Sequence, residues 1–321
     1  MQAKSPEQAS ALEQAASAFV ELRPRLFGIA YRMLGSAAEA EDVLQEVWVR
    51  WQGTDREAIG NPAAFLALIT TRLSINVAQS ARARRETYIG PWLPEPVDTS
   101  LDPTLGAERG EALELAFLLL LERLTPTERA AYVLREAFVY PYAQIADILR
   151  LSPVNARQLV SRARKRLAAG RHEPIDETEH RRLLGAFLAA ARTGNVAALE
   201  DLFAADVVSS SDGGGVRGAA RFPLLAVLAG DAVVVSDGGG KVRAAVRPTC
   251  GADAVARFVT AFLTGRPGIE IVPGSVNGRT GLVLCQASRA VAVVGVSVAG
   301  AKVTALWITL NPDKLRRWHR P

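Results

Sequence analysis

The pattern of apolar residues changes once along the chain, near the polar segment RHEPIDETEH. The first 171 residues are patterned as helices, whereas later stretches alternate apolar and polar residues as strands do. We therefore predict helical domains followed by an α+β domain, in which helices pack on one face of a mainly antiparallel sheet around a concave pocket. A length of 321 residues with 49% hydrophobic content suits two or three globular domains.

Helix starts in the first part are marked by capping residues. Two capping residues have an acid three positions later, which is capping-box spacing, and three are followed directly by proline. The predicted caps are Ser36, Asn61, Thr125 and Ser152. Between the helical parts, YIGPWLPEPVD holds three prolines and a glycine, which predicts an extended connector.

The last part combines helices and strands. We predict helices over roughly 179–192, 195–203 and 252–264, and strands at IEIVPGSV, TGLVLCQAS, AVAVVGVSVA and KVTALWITL. An internal repeat pairs LFAADVVSSSDGGGVRGAAR with VLAGDAVVVSDGGGKVRAAVR and sets Asp212 against Asp237. Two copies are too few for a solenoid, so a local duplication is the better interpretation.

The segment PYAQIADILRLSPVNARQLVSRARKRL has helix-turn-helix spacing. On its second helix one apolar face should pack inward: Ala156, Leu159, Val160, Ala163 and Leu167. The opposite face suits DNA, because Arg pairs with guanine, Asn or Gln pairs with adenine, and basic groups meet phosphates. It consists of Asn155, Arg157, Gln158, Ser161, Arg162 and Lys165. A lone basic helix is more often a solvated structural element, and the preceding helix and turn shift the balance towards DNA.

Two amphipathic helices are predicted before it. In AEAEDVLQEVWVRW an apolar stripe of Val43, Leu44, Val47 and Trp48 lies opposite a cluster of acids. The following helix, NPAAFLALITTRLSINVAQSARARRE, ends in Arg82, Arg84 and Arg85, and such a basic end can approach nucleic acid.

Together these segments resemble extracytoplasmic-function (ECF) RNA polymerase sigma factors. The resemblance implies a region 2 domain over residues 1–87, a linker over 88–105 and a region 4 domain over 106–171. It implies that the acidic helix docks on the clamp helices of the polymerase β′ subunit through Glu41, Asp42, Gln45 and Glu46. The −10 element would meet Asn76, Arg82, Arg84 and Arg85, and the helix-turn-helix would read the −35 element of promoter DNA.

Three short motifs, PWLPEP, DGGGK and NPDKL, narrow the resemblance to the group with a fused SnoaL-like (NTF2-like) carboxyl-terminal domain. Here that domain would span 179–321, after a linker at 172–178, and would regulate the sigma factor in cis without a separate anti-sigma factor. The implied regulatory residues are Trp92, Leu93, Pro94, Asp237, Gly238, Gly239, Gly240, Lys241, Asn311, Pro312, Asp313, Lys314 and Leu315. The chain departs from the group in carrying two DGGG copies, the first with Val216 in place of lysine, and in Arg150, where the helix-turn-helix often has glycine. We favour the Asp237–Lys241 copy because it keeps the lysine.

Neither a cofactor nor a metal site is indicated, since Cys250 and Cys285 lack ligand spacing. No membrane span or signal-peptide core is apparent, so we expect a cytoplasmic address. Two other functions stay open. SnoaL-like folds include cyclases and isomerases, for which Asp206, Asp231 and Asp237 are candidate acids or bases. A one-component regulator that binds a small ligand would use the same helix-turn-helix but leaves the acidic helix unexplained.

Overall fold

The computed structural model describes residues 6–56, 58–100, 113–168, 177–193, 227–264 and 268–318. They belong to two compact units. A helical unit lies within residues 1–88 and 94–171, and a mixed unit lies within 89–93 and 172–321. The predicted helix at 195–203, the first DGGG copy and Asp206 fall outside the described residues. No helix among those described is long and apolar enough to cross a membrane.

The helical unit contains seven helices among the described residues. They are α1 (Pro6–Leu34), α2 (Ala37–Gln52), α3 (Pro62–Glu86), α4 (Leu115–Leu121), α5 (Pro126–Glu136), α6 (Tyr142–Leu149) and α7 (Pro153–Ala168). The starts of α2, α3, α5 and α7 are the ones predicted from capping residues. Each predicted capping side chain accepts the backbone N–H of the residue three positions later at 3.0–3.3 Å. Only at Thr125 is the reciprocal bond from Glu128 also present, which completes a capping box.

A single buried core runs from α1 to α7. Backbone carbonyls at helix ends are satisfied by arginines from distant helices: Arg72 Nε donates to the carbonyl of Ile148 at 2.9 Å, and Arg129 Nη1 donates to that of Met33 at 2.7 Å. The segments predicted as region 2 and region 4 therefore pack against one another within the helical unit.

The turn of the helix-turn-helix is closed by Arg150 in the left-handed conformation, at φ 57° and ψ 50°. The following amide, of Leu151, donates to the carbonyl of Ala146 at 2.9 Å, as in a Schellman motif. Glycine normally occupies such a position because any side chain is strained there, so Arg150 accepts a backbone cost that glycine would avoid.

The mixed unit contains α8 (Glu177–Thr193), α9 (Ala252–Thr264) and a six-stranded sheet of order β2-β1-β6-β5-β4-β3. Its strands are β1 (Leu228–Asp237), β2 (Thr249–Cys250), β3 (Glu270–Val276), β4 (Arg279–Gln286), β5 (Arg289–Ala299) and β6 (Lys302–Thr309). The predicted strands correspond to β3–β6 and the predicted helices to α8 and α9, which confirms the α+β class. Strand β1 was not predicted, although its Val233–Val235 run has strong β propensity.

The pairing of β1 with β6 brings the DGGGK and NPDKL motifs together. β1 runs parallel to β6, whereas the other pairings are antiparallel, and Asp237 lies opposite Thr309. The carboxyl ends of the two strands therefore share one edge of the sheet. There the amides of Leu310 and Asn311 donate to the Asp237 carbonyl at 2.8 and 2.9 Å, so the DGGGK and NPDKL motifs are brought together.

Candidate functional site

The recognition face of α7 is the first candidate surface. We define it as the side chains of this helix that the sequence predicts to read DNA. All of them are exposed: Asn155, Arg157, Gln158, Ser161, Arg162 and Lys165. The opposite side packs inward through Ala156, Val160, Ala163 and Leu167, with Leu159 half-buried. The helical period thus separates a packing side from a polar side, as predicted.

Contacts from α5 and α6 fix the orientation of α7. The Arg164 guanidinium pairs with Glu136 at 2.7 Å, and the hydrogen bond that it donates to this carboxylate raises the pKa of Arg164. Arg166 pairs with Glu128 at 2.6 Å. The guanidinium of Arg157 lies 5.2 Å from the ring centroid of Tyr142, a cation–π distance that places it beside the preceding helix. These contacts hold the recognition face in one orientation.

The acidic face of α2 is the second surface. Asp42, Gln45 and Glu46 are exposed, and Glu46 forms an i,i+4 ion pair with Arg50 at 2.8 Å. Glu41 is half-buried and pairs with Arg23 of α1 at 2.6 Å. Val49 adjoins this face and is 60% exposed, a feature the sequence analysis did not single out. Its exposure could have been predicted from the sequence, because the helical period places Val49 away from the buried residues of α2.

The end of α3 presents only part of the expected −10 set. Asn76 is exposed. Arg84 forms an ion pair with Glu39 of α2. The side chain of Arg82 lies outside the described residues.

Arg85 departs most from expectation. Its guanidinium contacts Glu122 and the carbonyl of Leu34, with 17% of the side chain exposed. Glu122 also accepts from Arg129 at 2.7 Å. Burial raises the pKa of Glu122, but the two guanidinium groups outweigh it and hold that pKa below the ordinary value, while burial lowers the pKa of Arg85. In this arrangement Arg85 joins α3 to the later helices, and most of its side chain is buried.

A third site lies in the mixed unit, where residues 89–93 meet the edge shared by β1 and β6. We call Trp92, Leu93, Asp237 and Lys314 the clasp. The Leu93 amide donates to Asp237 Oδ2 at 3.0 Å, and Lys314 Nζ donates to the same oxygen at 2.7 Å. The Lys314 ammonium also donates to the Leu93 carbonyl and lies 4.6 Å from the Trp92 ring centroid. Asp237 is fully buried, so these donors replace the hydrogen bonds that water would otherwise make to its carboxylate.

The glycines after Asp237 allow the chain to turn tightly beside the clasp. The Gly239 amide donates to Asp237 Oδ1 at 3.0 Å. A Cβ at Gly238 would stand 2.3 Å from the carbonyl oxygen of Val242, so no other residue fits without movement. Beyond the turn, Lys241 pairs with Asp313, and its hydrogen bond holds the pKa of that carboxyl below its ordinary value. These contacts involve the favoured Asp237–Lys241 copy.

The remainder of PWLPEP belongs to the helical unit. Glu95 is buried; its carboxylate accepts from the Ser36 hydroxyl and the Ala38 amide, both at 3.1 Å, at the start of α2. The Tyr31 hydroxyl donates to the Glu95 carbonyl at 2.6 Å. An acid at a helix amino terminus is favoured by the helix dipole. Glu95 was missed as a site residue, although an acid between two prolines was a visible signal.

Comparison with known proteins identifies the family of this chain. The family models "Sigma-70 region 2" and "Sigma-70, region 4" match residues 18–85 and 114–167. The ECF RNA polymerase sigma factor SigJ of Mycobacterium tuberculosis is 35% identical over 93% of this chain and 92% of its own length. The chain belongs to the ECF RNA polymerase sigma factors. A probable sigma factor of the same organism, SigI, is 30% identical to this sigma factor over 79% of the chain and 88% of its own length.

A solved structure supports the fold of this sigma factor along nearly the whole chain. The crystal structure of M. tuberculosis SigJ matches with a TM-score of 0.67 and 32% identity, covering 93% of this chain and 97% of the other. The match includes the strand-rich part, consistent with a SnoaL-like domain. Sigma factors are transcription initiation factors, so the predicted lack of enzymatic function is confirmed by the family. Within the described residues, no three His, Cys, Asp or Glu side chains are grouped to hold a metal.

Proposed function

We propose that this sigma factor binds core RNA polymerase through the acidic face of α2 and directs initiation by contacting the −10 element with α3 and the −35 element with α7. The observation that carries the proposal is the recognition face, which is exposed along its length on the second helix of a helix-turn-helix. Neither a cofactor nor covalent chemistry is required. Because its partner polymerase works on the chromosome, we place the protein in the cytoplasm.

We expect the recognition face to make two kinds of contact, with base edges and with phosphates. Arg157 and Gln158 are nearer the amino-terminal end of α7, which in helix-turn-helix proteins contacts base edges. Lys165 lies two turns further along, where a flexible ammonium suits a phosphate. The first pair should therefore specify sequence and the lysine should supply salt-dependent affinity.

The acidic face suits a protein partner better than DNA. Exposed carboxylates at Asp42 and Glu46 repel phosphates, and exposed Val49 adds apolar area beside them. The resemblance names the β′ clamp helices as that partner, and a charged rim around an apolar residue fits such a docking surface.

Promoter binding requires the helical unit to open. The numbers that name the −10 and −35 elements place them roughly 25 base pairs apart, which is roughly 85 Å of B-DNA at about 3.4 Å per base pair. Arg72 donates to the carbonyl of Ile148. Asn76, on the −10 side, follows Arg72 by four residues, and Gln158, on the −35 side, follows Ile148 by ten. Even if both segments were fully extended, Asn76 and Gln158 would lie less than about 60 Å apart while this contact holds. Binding both elements therefore requires the contact between Arg72 and Ile148 to break. We propose that the contact between Arg85 and Glu122 breaks with it, so that Arg85 can face DNA.

We propose that the SnoaL-like domain controls this opening in cis through the clasp and the motif residues around it. Support comes from the buried contacts of Leu93 with Asp237 and Lys314, since residues 88–105 are the connector whose freedom sets how far the helical regions can separate. A domain that holds the connector supplies the restraint that a separate anti-sigma factor would otherwise supply.

Run-off transcription with purified core enzyme tests the proposal. Promoters come from a library in which the −10 and −35 segments are randomised. Arg157→Ala or Gln158→Ala should relax the selected −35 sequence and cost about 1–3 kcal/mol per base contact. Lys165→Ala should weaken binding to all sequences and reduce its salt dependence. Absence of core binding, or equal losses on every sequence for all three variants, contradicts the proposal.

A further inference from the structure

Val154 is a large hydrophobic residue on the exposed surface of α7. Val154 is the second residue of this helix and is 63% exposed. It is neither part of the buried core of the helical unit nor among the half-buried hydrophobics described as packing on it. A β-branched residue is also a weaker helix former than alanine. Neither packing nor helix propensity accounts for valine here.

The helical period places Val154 in line with the recognition face. Residues 154, 158, 161 and 165 follow the i, i+4, i+7, i+11 spacing, so Val154, Gln158, Ser161 and Lys165 form one row. The row lies opposite the buried side chains of Ala156 and Val160. Val154 therefore occupies its amino-terminal end, the part of a recognition helix that reaches base edges.

The chemistry of the major groove supplies a match for this side chain. Base edges there present hydrogen-bond donors and acceptors, with one apolar group, the C5 methyl of thymine. A valine can distinguish bases only through that methyl group. We infer that Val154 is a specificity-determining residue that selects thymine in the −35 element by packing against its C5 methyl. This inference rests on the proposed −35 reading by α7.

Replacing thymine by uracil tests it, because the substitution removes only the methyl group. The holoenzyme first selects a −35 sequence from the randomised library, and each selected thymine is then replaced by deoxyuridine. We compare the affinity for thymine DNA with that for uracil DNA as a thymine-to-uracil ratio. At one position this ratio should be about four for wild type, the effect of losing burial of one methyl-sized group. Val154→Ala should reduce the ratio towards one, whereas Val154→Thr, which keeps a methyl, should retain most of it.

Val246→Ala is the matched control, since Val246 is 72% exposed in the mixed unit and is not on the recognition face. Its thymine-to-uracil ratio should equal that of wild type. A selected sequence without thymine, thymines that all tolerate uracil, or an undiminished ratio in Val154→Ala overturns the assignment of Val154 while leaving the −35 reading intact. If wild type selects no −35 sequence, both proposals fall.

Discussion

Lys314→Met removes the ammonium of the clasp while keeping an unbranched side chain. It leaves the fully buried carboxylate of Asp237 without its ion-pair partner, which is 12% exposed in the native protein. Breaking a buried pair in this way costs about 3–5 kcal/mol, because one uncompensated charge stays buried. The Leu93 amide donates to the same carboxylate, so the loss of local stability should be measurable at this amide.

Hydrogen exchange followed by mass spectrometry measures this locally, in peptides that cover residues 89–97 of the full chain. A loss of about 3 kcal/mol corresponds to roughly 100-fold faster exchange of the Leu93 amide. In the double variant Asp237→Asn with Lys314→Met no charge remains buried, and the amide can still bond to the asparagine oxygen. We expect its exchange to lie closer to wild type than that of Lys314→Met.

Arg257→Met is the control, because it removes an exposed i,i+4 ion pair with Asp253 in the same unit. Exposed pairs contribute about 0–1 kcal/mol, so exchange at Leu93 should not change. The reasoning is refuted if Lys314→Met exchanges at the wild-type rate, or if the double variant loses as much as the two single variants combined.

Two further predictions concern the helical unit. The pKa of Glu122 is lowered in the folded state, so its contribution to stability is present above the unfolded pKa and is lost as pH falls through the folded one. Urea unfolding should therefore show Glu122→Gln less stable than wild type at neutral pH, with the difference shrinking below about pH 4; a constant difference contradicts this. Arg150→Gly should raise the free energy of unfolding by about 0.5–1 kcal/mol, since relief of left-handed strain exceeds the added entropy of the unfolded chain. Destabilisation in the same urea titration would show that the arginine side chain stabilises the turn.

Features encoded within a few residues were predicted well. Thr125 and Glu128 mark a helix start because the capping bonds span three positions, and Ala156 and Val160 mark the inward side of α7 because burial follows the helical period. The strands β4 to β6 were predicted for the same reason, since alternation is a local signal.

Features that depend on distant partners were not predictable in this way. Arg85 resembles a basic helix end until Glu122, 37 residues later, is brought against it. The carboxylate of Asp237 gains its role from the pairing of β1 with β6 and from Lys314, 77 residues away. The motif resemblance indicated that such residues matter, but their contacts follow from topology and not from spacing along the chain.

The separation of Leu93 from Lys314 has a consequence for newly made protein. These residues bond across 221 positions of sequence. At about 5–20 residues per second, the ribosome needs roughly 10–45 s to synthesise the intervening chain. The helical unit is complete only once residue 171 has been made. The 143 residues from there to Lys314 take roughly 7–29 s of this interval, during which the lysine that completes the clasp does not yet exist. Each molecule therefore passes through a timed period, set by translation, in which its helical regions are complete and the connector is still free.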